Sequence, residues 1–136
     1  MKTVVVVAGV LVEQGRVLLT QRKAGAHLAG LWEFPGGKVE AGEDPRFALR
    51  RELGEEIGVD TRVGDILEVT FYRYEEAEKA VLLLFYEVVR EMGSPAPRAI
   101  DVAACKWAKA DELRDEIFPP ADVAVLARVR KLMASR

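Results

Sequence analysis

Residues 3–12 (TVVVVAGVLV) form an almost unbroken run of small and β-branched apolar side chains, the pattern of a strand buried on both faces. Glu13-Gln14-Gly15 interrupts it with turn chemistry, and residues 16–21 (RVLLTQ) return as the second strand of a hairpin. Residues 22–30 (RKAGAHLAG) are small and glycine-containing and read as a loop. A short strand is expected over 31–34, ended by Pro35-Gly36-Gly37, a strong breaker. The period then becomes helical: Leu49, Leu53 and Ile57 fall at i, i+4 and i+8, an apolar stripe that docks a helix on a core. Asp44 suits the N-cap, Pro45 the first helical position and Gly58 the position just past the end, so the helix should span 45–57. Gly54 in its interior costs about 1 kcal/mol against alanine, for no reason visible in the sequence.

Residues 67–74 read as a further strand, 75–79 as a charged turn and 80–89 (AVLLLFYEVV) as a buried strand. A loop over 93–97, a short strand over 103–108 and a helical turn over 110–114 follow. Phe118-Pro119-Pro120 then breaks the chain before a last helix expected over 122–133. Strands mixed with two helices predict an α/β or α+β fold with the helices packed on a mixed sheet. The 136 residues suffice for one domain, 1–136, and are too few for two.

Composition narrows the function classes. Half the residues are hydrophobic and 31% charged, ordinary for a water-facing globular chain. A net charge of -2 and a pI near 5.6 give no support to nucleic-acid binding by a basic surface, so affinity for phosphates has to be local or carried by metal. No run approaches the roughly 18 apolar residues of a membrane span, and the N-terminal run is too short and β-branched for a signal peptide. The one cysteine, Cys105, excludes an internal disulfide, and a reducing cytoplasm is the expected location. Cys105 sits in the apolar stretch 102–108 and reads as buried filler rather than as a nucleophile.

The candidate chemistry lies in Arg51-Glu52-Leu53-Gly54-Glu55-Glu56. Glu52, Glu55 and Glu56 stand at i, i+3 and i+4, within about 100° of arc on one helix face. Like charges so close repel, and a cation relieves them. Hard divalent ions such as Mg²⁺ take oxygen ligands of this kind and bring substrate phosphates with them. The bland alternative, a solvated face paired with Arg50 and Arg51, is the stronger reading for an isolated acidic triplet.

The wider context decides against that alternative. Residues 37–59 (GKVEAGEDPRFALRRELGEEIGV) resemble the Nudix box of the Nudix hydrolases, meeting it at Gly37, Glu43, Arg51, Glu52, Leu53, Glu55, Glu56, Gly58 and Val59. Residues 30–37 (GLWEFPGG) and 118–122 (FPPAD) extend the resemblance to the MutT-type branch. It implies an αβα sandwich with a mixed sheet between helices. The implied activity is Mg²⁺-dependent hydrolysis of a nucleoside triphosphate to monophosphate and pyrophosphate, with Mn²⁺ as a substitute metal. It also implies Glu52, Glu55, Glu56 and the Gly37 carbonyl as metal ligands and Arg51 as an orienting cation, with Glu43 secondary. The substrate is then a small-molecule nucleotide, with neither nucleic acid nor membrane as partner, and the chain a monomer or homodimer.

Other positions carry two readings each. Asp101, six residues before Trp107, stands where relatives place a glutamate used as base or metal ligand; it is otherwise an ordinary loop carboxylate. If Asp101 does not serve, Glu55 or Glu56 activates the water. Asp122 suits the N-cap of the last helix, and by resemblance contacts the base; an ionised carboxylate accepts hydrogen bonds from the cytosine amino group or from N7–H of 8-oxoguanine. Trp32 and Phe118 either stack on the base or fill the core. By resemblance Arg22 and His27 lie near the nucleoside, with Phe34, Gly36 and Lys38 as further substrate contacts. The leading substrate is 8-oxo-dGTP, in nucleotide-pool sanitation that protects DNA; cytidine triphosphates are the alternative, ahead of other nucleoside diphosphate-linked compounds.

Overall fold

A computed structural model describes residues 1–136. The first strand, β1 (Lys2–Glu13), is the spine. It turns through Gln14-Gly15, both at positive φ, into antiparallel β2 (Arg16–Gln21). Two short strands follow, β3 (Trp32–Glu33) on β2 and β4 (Gly36–Lys38) on β1. Beyond helix α1 (Pro45–Ile57) come β5 (Thr61–Tyr74) and β6 (Lys79–Arg90), an antiparallel pair joined by a tight turn at Glu75–Ala77. β6 runs parallel to β1, so the seven-stranded sheet is mixed, in the order β3-β2-β1-β6-β5. β7 (Ala104–Ala108) closes on β2, and α2 (Leu126–Ala134) ends the chain.

The expected two-sided burial of β1 holds over Val7–Val12, where strand alternation feeds both cores, whereas Thr3 is exposed and Val4, Val5 and Val6 are partly buried. Ala8, Val10 and Val12 enter a core with Phe85, Phe118, Val125, Leu126 and Val129 on the α2 side, while Val7 and Leu11 meet Leu49, Leu53 and Ile57 of α1 on the other. The result is the αβα layering. Each fully buried leucine or isoleucine of the α1 stripe contributes about 2 kcal/mol of burial. Both caps form as the sequence predicts. Asp44 Oδ1 accepts from Arg46 N–H at 2.8 Å and Phe47 N–H at 3.4 Å, and Gly58 (φ 71°) donates its N–H to Gly54 O at 3.1 Å. Nothing in the structure calls for glycine at 54: an added methyl would approach only Val59 O, at 3.9 Å.

Three expectations are corrected. Gly36 and Gly37 do not simply break the chain; they form β4 against Val7 and Ala8 of β1, where a side chain at 36 would run into the Val7 carbonyl. β5 starts at Thr61 instead of 67, its first half bent by irregularities between Val63 and Glu68 that hide the alternation. The last helix starts at Leu126, not 122: Pro120–Val125 winds as a tighter 3-10 turn that buries Ala121, Asp122 and Val125. Asp122 therefore does not cap α2, whose N-cap residue, Val125, has no capping side chain.

Candidate active site

A cleft of about 260 Å³ opens over the β4-β1-β6 part of the sheet, floored by Val6, Ala8, Val81, Leu83 and Phe34. Gly36, Gly37, Lys38 and Glu56 line one part of its wall; Arg22, His27, Glu33, Tyr74, Lys79 and Asp122 line the rest. β4 supplies the glycine backbone, α1 reaches in with Glu56, and the 3-10 turn after Pro119 brings in Asp122.

The acidic face of α1 is organised by Arg51. Its guanidinium donates to both Glu43 oxygens (2.7 and 2.9 Å), to Glu52 Oε1 (2.9 Å) and to Glu55 Oε1 (2.9 Å), and reaches the Lys38 carbonyl at 3.3 Å. Hydrogen bonds from Arg51 hold the Glu43 carboxyl down at about 2. Glu52 packs on Gly37 and is largely buried, and burial pushes its carboxyl up in spite of Arg51. Glu56 lies deepest: burial first, then the charges of Glu52 and Glu33, push it up to about 8, with the Gly36 N–H opposing.

No three carboxylate, histidine or cysteine side chains are gathered closely enough here to enclose a metal ion. The donor set nonetheless fits a hard cation. Glu56 resists ionisation because it is buried and because Glu52 and Glu33 lie near it, both of which a divalent charge would offset, and Gly37 leaves the space beside Glu52 free of a side chain.

On the other part of the wall, Arg22 forms a two-bond ion pair with Glu33 (3.0 and 3.2 Å) and donates to the His27 carbonyl at 2.6 Å. Asp122 is 5% exposed, and burial raises its carboxyl well above the ordinary range, with Glu33 adding to the shift and Arg22 opposing it. His27 Nε2 is 2.9 Å from Glu76 Oε2 and stands edge-on to Tyr74. Phe34 stacks on Phe118 with ring centroids 5.5 Å apart.

The structure thus gathers Arg22, His27, Phe34, Gly36, Gly37, Lys38, Glu56 and Asp122 at one cleft. Phe118 lies behind Phe34 in the core, and Trp32 faces Lys106, whose Nζ is 4.4 Å from its ring centroid; neither lines the cleft. Asp101 sits outside the lining, 62% exposed, in an ion pair of 2.5 Å with Lys23. Glu33, Tyr74 and Lys79 belong to the lining and were not singled out from sequence. Glu33 carried a signal, lying inside the matched 30–37 segment; Tyr74 and Lys79 flank a charged turn that gives none.

Comparison with known proteins gives a consistent result. A family model described as the NUDIX domain matches residues 1–129. The CTP pyrophosphohydrolase of Escherichia coli (strain K12) is 37% identical over 136 residues, covering 100% of this chain and 98% of that protein. The 8-oxo-dGTP diphosphatase of the same strain is 35% identical over 120 residues, covering 88% of this chain and 90% of that protein. The solution structure of the E. coli ORF135 protein superposes with a TM-score of 0.80 at 34% identity, covering 100% of this chain and 94% of that one.

Proposed function

The chain belongs to the Nudix hydrolases, in the MutT-like branch, and is a nucleotide pyrophosphohydrolase; on that premise we propose that it converts a nucleoside triphosphate to the monophosphate and pyrophosphate, with 8-oxo-dGTP as the preferred substrate. The observation that carries this is that one cleft brings Lys38, Glu56 and glycine backbone together with Phe34, Arg22, Glu33 and Asp122; the first set suits phosphates and the second a single base. A cleft of about 260 Å³ suits a single nucleoside.

Glu52, Glu55, Glu56 and the Gly37 carbonyl would hold a divalent metal, which when bound supplies charge neutralisation and an acidified water. The chain's own groups do the rest. Lys38 binds phosphate oxygens, and the bare backbone of Gly36 and Gly37 lets them approach closely. Arg51 keeps Glu52 and Glu55 oriented. Glu56 is the one box glutamate in the lining and can take the proton of the attacking water, whereas Asp101 is paired with Lys23 outside the lining. The base part of the wall offers the Asp122 carboxyl, whose burial favours the protonated form so that it can donate as well as accept, while the Arg22 guanidinium and the Glu33 carboxyl are committed to each other. It suits a base edge that sets an N–H donor beside a carbonyl acceptor, such as 8-oxoguanine with its N7–H and flanking carbonyls.

A second reading, cytidine triphosphates, is supported by the end-to-end likeness to a protein named CTP pyrophosphohydrolase and by the amino group that cytosine would present to Asp122. A hydrolysis panel over 8-oxo-dGTP, dGTP, CTP, dCTP, 5-methyl-dCTP and ADP-ribose separates the two. Selectivity for 8-oxo-dGTP over dGTP supports the first reading; equal rates on those two with faster cytidine turnover would replace it by the second, and a preference for ADP-ribose would defeat both.

A further inference from the structure

Three stretches distant in sequence wall the base part of the cleft: the loop carrying Arg22 and His27, the end of β5 with its turn, and the 3-10 turn carrying Asp122. Tyr74 belongs to the second and touches the other two. It is 5% exposed at the last position of β5, and its hydroxyl accepts the Ala121 N–H at 3.1 Å, a buried hydrogen bond across 47 residues. Its ring meets His27 edge-on at 5.0 Å, and the turn that follows it supplies Glu76 to the same histidine.

Ala121 immediately precedes Asp122, whose own N–H is turned back to Pro119 O at 2.9 Å. The Tyr74 hydroxyl therefore anchors the peptide next to Asp122 to the sheet. Without it, an amide in a buried turn would lose its acceptor, and the turn would have to shift to recover one. That shift would move Asp122 relative to Phe34 and Arg22, while Glu52, Glu55, Lys38 and β4 would be unaffected.

We propose that Tyr74 is a specificity-positioning residue, its hydroxyl setting the placement of Asp122 through the Ala121 amide while its ring braces His27 on the opposite wall. This rests on the reading that Asp122 contacts the base. Because the phosphates and the base are held by different elements, loss of the hydroxyl should loosen base selection more than it slows bond cleavage. Burial pushes the Tyr74 phenol up to about 12, so it keeps its proton and its role across the working pH range.

The test compares Tyr74→Phe and Asp122→Ala with wild type on 8-oxo-dGTP, dGTP and CTP, with exchange of the Ala121 amide followed by NMR. Tyr74→Phe keeps the ring and its packing, so the fold should persist. The expected result is Ala121 exchange at least about 10-fold faster and KM for the preferred nucleotide raised about 5-fold, with kcat changing least and discrimination between bases narrowed. If Asp122→Ala shifts the base preference but Tyr74→Phe leaves KM and discrimination at wild-type values, the positioning role is overturned. If Asp122→Ala leaves the base preference intact, the base-contact reading falls and the proposal falls with it.

Discussion

Gly37 and Glu52 touch so closely that a methyl group at position 37 would overlap the Glu52 carboxylate. The neighbouring Gly36 is equally confined, but by the main chain, its added methyl overlapping the Val7 carbonyl. The two glycines should therefore fail differently. Gly37→Ala displaces the end of a flexible side chain, so the fold survives and kcat/KM falls about 100-fold through misplacement of Glu52. Gly36→Ala forces β4 off β1 and costs more than about 3 kcal/mol. Thermal unfolding and pyrophosphate release on both variants check this; matching melting temperatures for the pair would contradict it.

Arg51 serves three carboxylates with one planar guanidinium. Lysine keeps the charge but not the fork geometry. Arg51→Lys is expected to lower Tm by about 3–6 °C and kcat/KM about 10-fold. An Arg51→Lys enzyme with wild-type kinetics would show that charge alone is sufficient there.

Glu56 links the site to stability. Its carboxyl titrates near 8 in the folded, metal-free protein against 4.5 for an unperturbed glutamate. The folded state thus keeps a proton that the unfolded chain releases, so the associated stability is complete below about pH 4.5 and is lost as pH rises through 8. Metal-free protein should be less stable at pH 9 than at pH 5 by on the order of 2 kcal/mol, after discounting for solvent relaxation. Glu33 and Asp122 shift in the same direction, so the difference from Glu56→Gln isolates the Glu56 share. Urea titrations across that range check it, and the same slope in both proteins would contradict it.

Lys79 faces the cleft without an ion-pair partner, and burial, together with Arg22 and Lys38, lowers its pKa. Such a cation is destabilised until an anion or carbonyl oxygen arrives. Lys79→Ala should raise KM about 10-fold with a smaller effect on kcat. Steady-state kinetics decide it; an unaltered KM would place Lys79 outside the binding surface.

Much of this is legible in the sequence alone. The α1 boundaries are written in Asp44, Pro45 and Gly58, whose chemistry is local, and Arg51, Glu52, Glu55 and Glu56 follow one another along that single helix. What escaped the sequence is tertiary. Pro120–Val125 carries helix-compatible residues, yet burial of Ala121 and Asp122 beside Tyr74 winds it more tightly and turns Asp122 from a cap into part of the cleft wall. The β4 glycines read as a break because their strand pairing depends on β1, some 30 residues earlier. Tyr74 and Lys79 become site residues only when β5 and β6 close on β1. The substrate-base question depends on these dispersed residues, the bond-breaking question on the box.

The central claim is that the carboxylates of α1 direct cleavage of a nucleoside triphosphate between its α and β phosphates. It is tested most directly by quantifying products from 8-oxo-dGTP and CTP with wild type, Glu55→Gln and Glu56→Gln, with Mg²⁺ and with chelator. Monophosphate and pyrophosphate are expected in equal amounts, with loss of turnover with chelator and a fall of at least about 100-fold in the glutamine variants. Release of single phosphates, or equal turnover by wild type and both variants, would contradict it.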